Sequence, residues 1–173
     1  MPSSNPISEV PAGFFSGLGN LEEFYFQEVP IGSTLINGSL EFLGAPISII
    51  DIGRNSISTL ESHAITGLES NTELDIRDNE IRELTEESFR PMLDLFSLVE
   101  GIINLHGNPV ERDCSMAWIV LNPVFLESVL GICTDGTYFK IWIQTFLKTF
   151  VSGEILPWQA IIPLGLVPKR FQQ

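Results

Sequence analysis

The sequence predicts an α/β fold: a short solenoid with a parallel β-sheet on its concave side and an irregular or helical convex side, closed by a C-terminal cap that contains cysteine. Three observations carry this. A phrase of apolar residues recurs at fixed offset, an Asn stands in register within it, and a cap-like segment follows the final copy. The clearest copies read Ile50-x-Ile52-x-x-Asn55-x-Ile57-x-x-Leu60 and Leu74-x-Ile76-x-x-Asn79-x-Ile81-x-x-Leu84, 24 residues apart. Five residues beyond Leu60 and Leu84 stand Ile65 and Phe89. A period of about 20–29 residues with this pattern is that of leucine-rich repeats.

Each position has a physical task. The alternating pairs Ile50/Ile52 and Leu74/Ile76 suit a short strand with one face on a core. Asn55, Asn79 and Asn108 are predicted to turn the chain inward and to pair with backbone groups of neighbouring turns as an Asn ladder. Before the regular copies, Val10, Phe15 and Leu18 match the closing half of a repeat. Leu21, Phe24 and Phe26 open the next, with Val29 where the Asn belongs. After Phe89, residues 91–101 read as an insertion, and Ile103-x-Leu105-x-x-Asn108 opens a last strand. Four strands are predicted, around Phe24–Phe26, Ile50–Ile52, Leu74–Ile76 and Ile103–Leu105.

The organisation that follows is repeats over 1–108, a cap over 109–140 and a divergent apolar tail over 141–173. The segment from Met116 to Leu130 reads as a short helix broken at Pro123 and lying over the open end of the last repeat. The chain enters mid-repeat at Val10 with no cap or leader before it, the pattern expected of a partial sequence. No stretch of about 18 uninterrupted apolar residues occurs, so no membrane span is expected.

Net charge is −13, and the tail 141–173 holds only one acid, Glu154, against Lys148, Lys169 and Arg170. So acidic a body is a poor match for nucleic acid. The predicted strand register places three stripes of outward positions on the concave face. Glu23, Ile49, Glu73 and Ile102 precede the core pairs, Tyr25, Asp51, Asp75 and Asn104 lie within them, and Gln27, Gly53, Arg77 and His106 follow. A partner is expected to meet Glu23, Tyr25, Asp51, Gly53, Glu73, Asp75, Arg77, Asn104 and His106 first. Asp51 and Asp75 fall roughly 5 Å apart on adjacent strands. Such a pair can share a proton or bind calcium, but the expected state is two solvated carboxylates. His63 and His106 lack Glu or His at helical metal spacing. No nucleophile–base set or phosphate loop emerges, so neither an enzyme nor a metal or cofactor is predicted. Asn37-Gly38-Ser39 is an N-glycosylation sequon in the connection between the first two strands.

The segment Asn108-Pro109-Val110-Glu111-Arg112-Asp113-Cys114, followed by Trp118 and Cys133, resembles the cysteine-rich C-terminal cap of extracellular leucine-rich-repeat proteins. Arg112 stands where that cap has its first Cys, and no Cys follows Cys133. Two readings stay open. Cys114 and Cys133 bridge each other, closing a loop worth roughly 3 kcal/mol in the chain-entropy model, or they remain two buried thiols.

Taken with Val10–Leu21, Ala64–Leu68, Glu86–Met92, Met116–Pro123 and Cys133–Thr137, the cap phrase is similar to one group. These segments resemble the arthropod leucine-rich-repeat proteins that take their name from the non-catalytic subunit of the Oplophorus-luciferin 2-monooxygenase. The resemblance covers about residues 7–140 and departs from the group at Arg112, at the missing fourth Cys and throughout the tail. It implies a secreted, non-catalytic protein whose partner is another protein, a separate catalytic subunit in the namesake. The alternative is a secreted adhesion or recognition protein outside any enzyme complex.

Overall fold

The computed structural model describes residues 10–15, 17–29, 31–111 and 116–141. Alternation dictates the central element. Phe24, Ile50, Leu74, Ile103 and Val129 each sit in the core in a strand of two or three residues. These strands are β1 (Glu23–Tyr25), β4 (Ile49–Asp51), β7 (Glu73–Asp75), β8 (Ile102–Asn104) and β9 (Val129–Leu130). They form one parallel sheet in the order β1-β4-β7-β8-β9. Its register is unbroken: Glu23, Ile49, Glu73 and Ile102 align, and so do Tyr25, Asp51, Asp75, Asn104 and Leu130. The ladder runs on past the strand ends, with the N–H groups of Phe26, Ile52, Ile76 and Leu105 donating to the carbonyls of Asp51, Asp75, Asn104 and Leu130.

After each of the first two sheet strands the chain adds two shorter strands, which pair between turns as two parallel ladders. Thr34–Leu35 (β2) pairs with Thr59–Leu60 (β5), and Leu40–Glu41 (β3) with Ile65–Thr66 (β6). The next turn departs from this. Where an insertion was expected over 91–101, the chain forms helix α1 (Glu86–Phe96). Ser88, Phe89, Met92, Leu93 and Phe96 recur at helical spacing and are all buried. Glu86 and Glu87 suit the helix N-terminus electrostatically. Pro91 lies on the exposed side, where its ring displaces no core contact.

The corner after each of the first four sheet strands is made in the left-handed region. Glu28, Arg54, Asp78 and Gly107 have φ of +56°, +54°, +53° and +76°. Each stands one residue before Val29, Asn55, Asn79 and Asn108. A left-handed non-glycine residue costs roughly 1 kcal/mol, and the inward Asn that follows offsets it with hydrogen bonds. Asn79 Nδ2 donates to the carbonyls of Ile52, Ile76 and Arg77, while its Oδ1 accepts from Ile57 N. Asn108 repeats this with Ile76, Leu105 and Ile81. Asn55 Nδ2 donates to Phe26, Ile52 and Gly53, but its Oδ1 accepts from Val29 N. By the pattern of the other two turns the donor would be Ile31, which instead donates to Val29 O.

The C-terminal end corrects an expectation. Residues 116–130 hold two short helices, α2 (Ala117–Val120) and α3 (Pro123–Glu127), followed by the strand β9, so the sheet has five strands where four were predicted. Met116, Ile119, Val120, Phe125 and Leu126 cover the last turn. Trp118 Nε1 donates to Leu84 O, and the Arg90 guanidinium lies 5.5 Å from the Trp118 ring centroid and 5.6 Å from that of Phe125. At the other end Phe15, Phe24, Phe26 and Phe42 form an aromatic cluster. Cys133 is buried, whereas Cys114 lies outside the described residues, as do Arg112 and all of the tail beyond Ile141.

Candidate functional site

Side chains alternate across a strand, so those between the buried centres point away from the core. In each of the first four sheet strands these are the first and third residues. They form two rows running across the sheet, and the second residue past each of these strands, Gln27, Gly53, Arg77 and His106, forms a third. The three rows differ sharply in what their side chains do.

The middle row does not present solvated carboxylates. Asp51 and Asp75 are each only 6 % exposed, which overturns the expectation of a solvent-facing pair. Three kinds of partner account for this. Asp51 Oδ1 accepts from Gly53 N and Asp75 Oδ1 from Arg77 N, each at 3.0 Å, closing a side-chain turn two residues ahead. Arg77 then lies between the two carboxylates, with Nε 3.2 Å from Asp75 Oδ2 and Nη2 3.8 Å from Asp51 Oδ2. The amides of Gln27 and Asn104 donate to the same outer oxygens, one on Asp51 and one on Asp75. Asn104 repeats the side-chain turn, accepting from His106 N at 3.2 Å, and pairs with His106 Nδ1 at 2.9 Å.

Gly53, expected on the contact surface, is buried beneath this network. A Cβ there would come within 3.2 Å of Asp51 Oδ1 and 3.3 Å of the Arg77 stem, so glycine lets the arginine lie across the sheet. Arg77 keeps 40 % of its side chain exposed. Like charges about 5 Å apart repel unless a cation lies between them. The guanidinium fills that place here and offsets one of the two negative charges.

The first row is different. Glu23 and Glu73 are exposed, and Ile49 and Ile102 are half-buried beside them. Among the described residues the Glu73 carboxylate makes no hydrogen bond or ion pair. Glu23 accepts from the Tyr25 hydroxyl at 3.1 Å. Tyr25 is 57 % exposed at the edge of the sheet. Its phenol is raised above its ordinary pKa because ionisation would break the bond to Glu23 and then place negative charge beside it, with burial, Asp51 and Glu73 adding to the effect.

Sequence reasoning placed Arg77 among the contact residues and missed its bridging role. The signal was present: Asp75 and Arg77 lie two apart, and the 24-residue period puts Asp51 on the adjacent strand. It also missed the corner pairs, in which Arg54 reaches Glu28 at 3.5 Å and Asp78 at 3.9 Å. His63 lies apart from the face, exposed at a corner with Ser62 Oγ 2.7 Å from its Nδ1. Asn37 is exposed, and its N–H donates to Glu61.

Among the described residues no group of three or more His, Cys, Asp or Glu is placed to hold a metal ion. No described helix is long and apolar enough to cross a membrane. No protein-family model matches the chain, and no curated protein matches it.

Proposed function

We propose that the chain is a short leucine-rich-repeat stack that acts as a non-catalytic, secreted protein-binding module, using the outer face of its five-stranded sheet. One observation carries the reading. The row Glu23, Ile49, Glu73, Ile102 combines unneutralised acids with half-exposed apolar side chains on a rigid, regularly spaced frame. Solvated faces seldom keep apolar side chains at regular intervals, whereas contact surfaces set apolar anchors among polar neighbours.

The contact residues are therefore Glu23, Tyr25, Ile49, Glu73 and Ile102, with Arg77 and His106 at the margin. Asp51, Asp75 and Gly53 hold the frame beneath. A photo-crosslinking residue in place of Ile49 should join the chain to its partner, while the same residue in place of Thr59, on a different side of the turn, should not. Equal yields from both positions would contradict the assignment.

The resemblance in the repeats and cap adds one specific candidate for the partner, a separate catalytic chain. Under that reading the enzyme's activity or half-life rises when the two are mixed. An unchanged enzyme, with the chain remaining a monomer, would leave the adhesion or recognition reading in its place.

A further inference from the structure

The alternation of acid and apolar residues in the first row has a length scale. Adjacent strands lie about 4.8 Å apart, so Glu23, Ile49, Glu73 and Ile102 stand at roughly 0, 5, 10 and 14 Å across the sheet. A partner segment crossing the strands must repeat that spacing. An extended chain cannot, since its same-face side chains recur at about 6.6 Å. An α-helix can. With a rise of 1.5 Å and 3.6 residues per turn, positions i, i+3, i+7 and i+10 fall at about 0, 4.5, 10.5 and 15 Å and lie within one sector of its surface.

From this match we infer that the sheet face is a docking surface for a basic amphipathic helix laid across the strands. Its Arg or Lys at i and i+7 meet Glu23 and Glu73, and its apolar residues at i+3 and i+10 meet Ile49 and Ile102. Charge complementarity selects the sign of the helix. Glu73 is exposed and makes no ion pair among the described residues, and the Tyr25 hydroxyl already orients Glu23. The phenol ring beside Glu23 offers a cation a second attraction. The middle row adds no competing positive charge, because Arg77 is outnumbered by Asp51 and Asp75. This inference rests on the sheet-face reading above and adds to it the class and register of the partner.

The probe is a synthetic helix of about 18 residues, long enough to hold its shape, with Arg at i and i+7 and Leu at i+3 and i+10. The control peptide has the same composition with the Arg and Leu positions exchanged. Fluorescence anisotropy with the full chain should show the registered peptide binding at least about tenfold more tightly than the control. E73K should remove that advantage, and a peptide carrying Glu at i+7 should regain it on E73K. Equal binding of the two peptides, with both weakened by I49R, overturns the helical register and leaves the sheet face as a contact surface. Binding of neither peptide, or binding untouched by I49R in a protein of unchanged melting temperature, overturns the inference and the sheet-face reading together.

Discussion

Glu73 and Asp75 stand two residues apart on strand β7, are both acidic and both point away from the core. Asp75 is nearly buried, closes a turn onto Arg77 N and pairs with the Arg77 guanidinium. Glu73 is exposed and has no such partner among the described residues. Strand alternation assigns both the same side of the sheet. What separates them is their neighbours along and across the strands, Gly53 and Arg77 for one and Ile49 and Ile102 for the other. One row is committed to holding the turns together, and the other remains available to a second molecule.

The largest effect should come from removing the shared cation. Arg77→Met leaves two nearly buried carboxylates about 5 Å apart, and unfolding by urea should show a loss of about 3 kcal/mol, somewhat tempered by the exposure of Arg77. A loss below about 0.5 kcal/mol would erase the distinction between the rows. Next comes Asn79→Ala, which strands the buried Ile57 N–H and leaves the Ile52 and Ile76 carbonyls only their bonds from Asn55 and Asn108, and should cost about 2 kcal/mol. Asn55 is only half-buried, so Asn55→Ala should cost less, about 1 kcal/mol. Equal losses at the two positions would show that burial does not set the worth of each rung.

Gly107→Ala probes the corner, where a Cβ would collide with Asp78 Oδ1 and φ is +76°. A melting temperature lowered by the equivalent of about 1–2 kcal/mol is expected. In the first row, Glu73→Lys should leave stability within about 0.5 kcal/mol of the parent chain. The smallest effect is ionic. Tyr25 should titrate above the ordinary tyrosine value, and Glu23→Gln should bring it down, as followed by ultraviolet absorbance. A raised folded-state pKa favours the fold while the phenol is neutral. That contribution is present below the ordinary tyrosine value and is lost as pH rises from there through the folded value.

Much of this frame was legible from residues alone. The 24-residue recurrence located β4 and β7, the shorter phrases around Phe24 and Ile103 located β1 and β8, and the outward rows followed from alternation. Strand β9 was not legible, because only Ser128 separates its two residues from a helix and they carry no Asn in register. Helix α1 was hidden by Pro91, which reads as a break yet falls on the exposed side. The left-handed corners at Glu28, Arg54 and Asp78 carry no glycine to mark them. Alternation told which way Asp51 and Asp75 point, but not that Arg77 would close over them. That depends on side-chain reach across strands, which a one-dimensional pattern does not encode.

The most direct measurement compares Glu73→Gln with Asp75→Asn, two near-isosteric losses of one charge on the same strand. Urea unfolding at neutral pH should show Asp75→Asn destabilised by about 2 kcal/mol, the worth of hydrogen bonds to a charged group, with Glu73→Gln unchanged to within about 0.5 kcal/mol. Equal losses in the two variants, or a larger loss at Glu73, would contradict the division of the sheet face into a structural row and a free one.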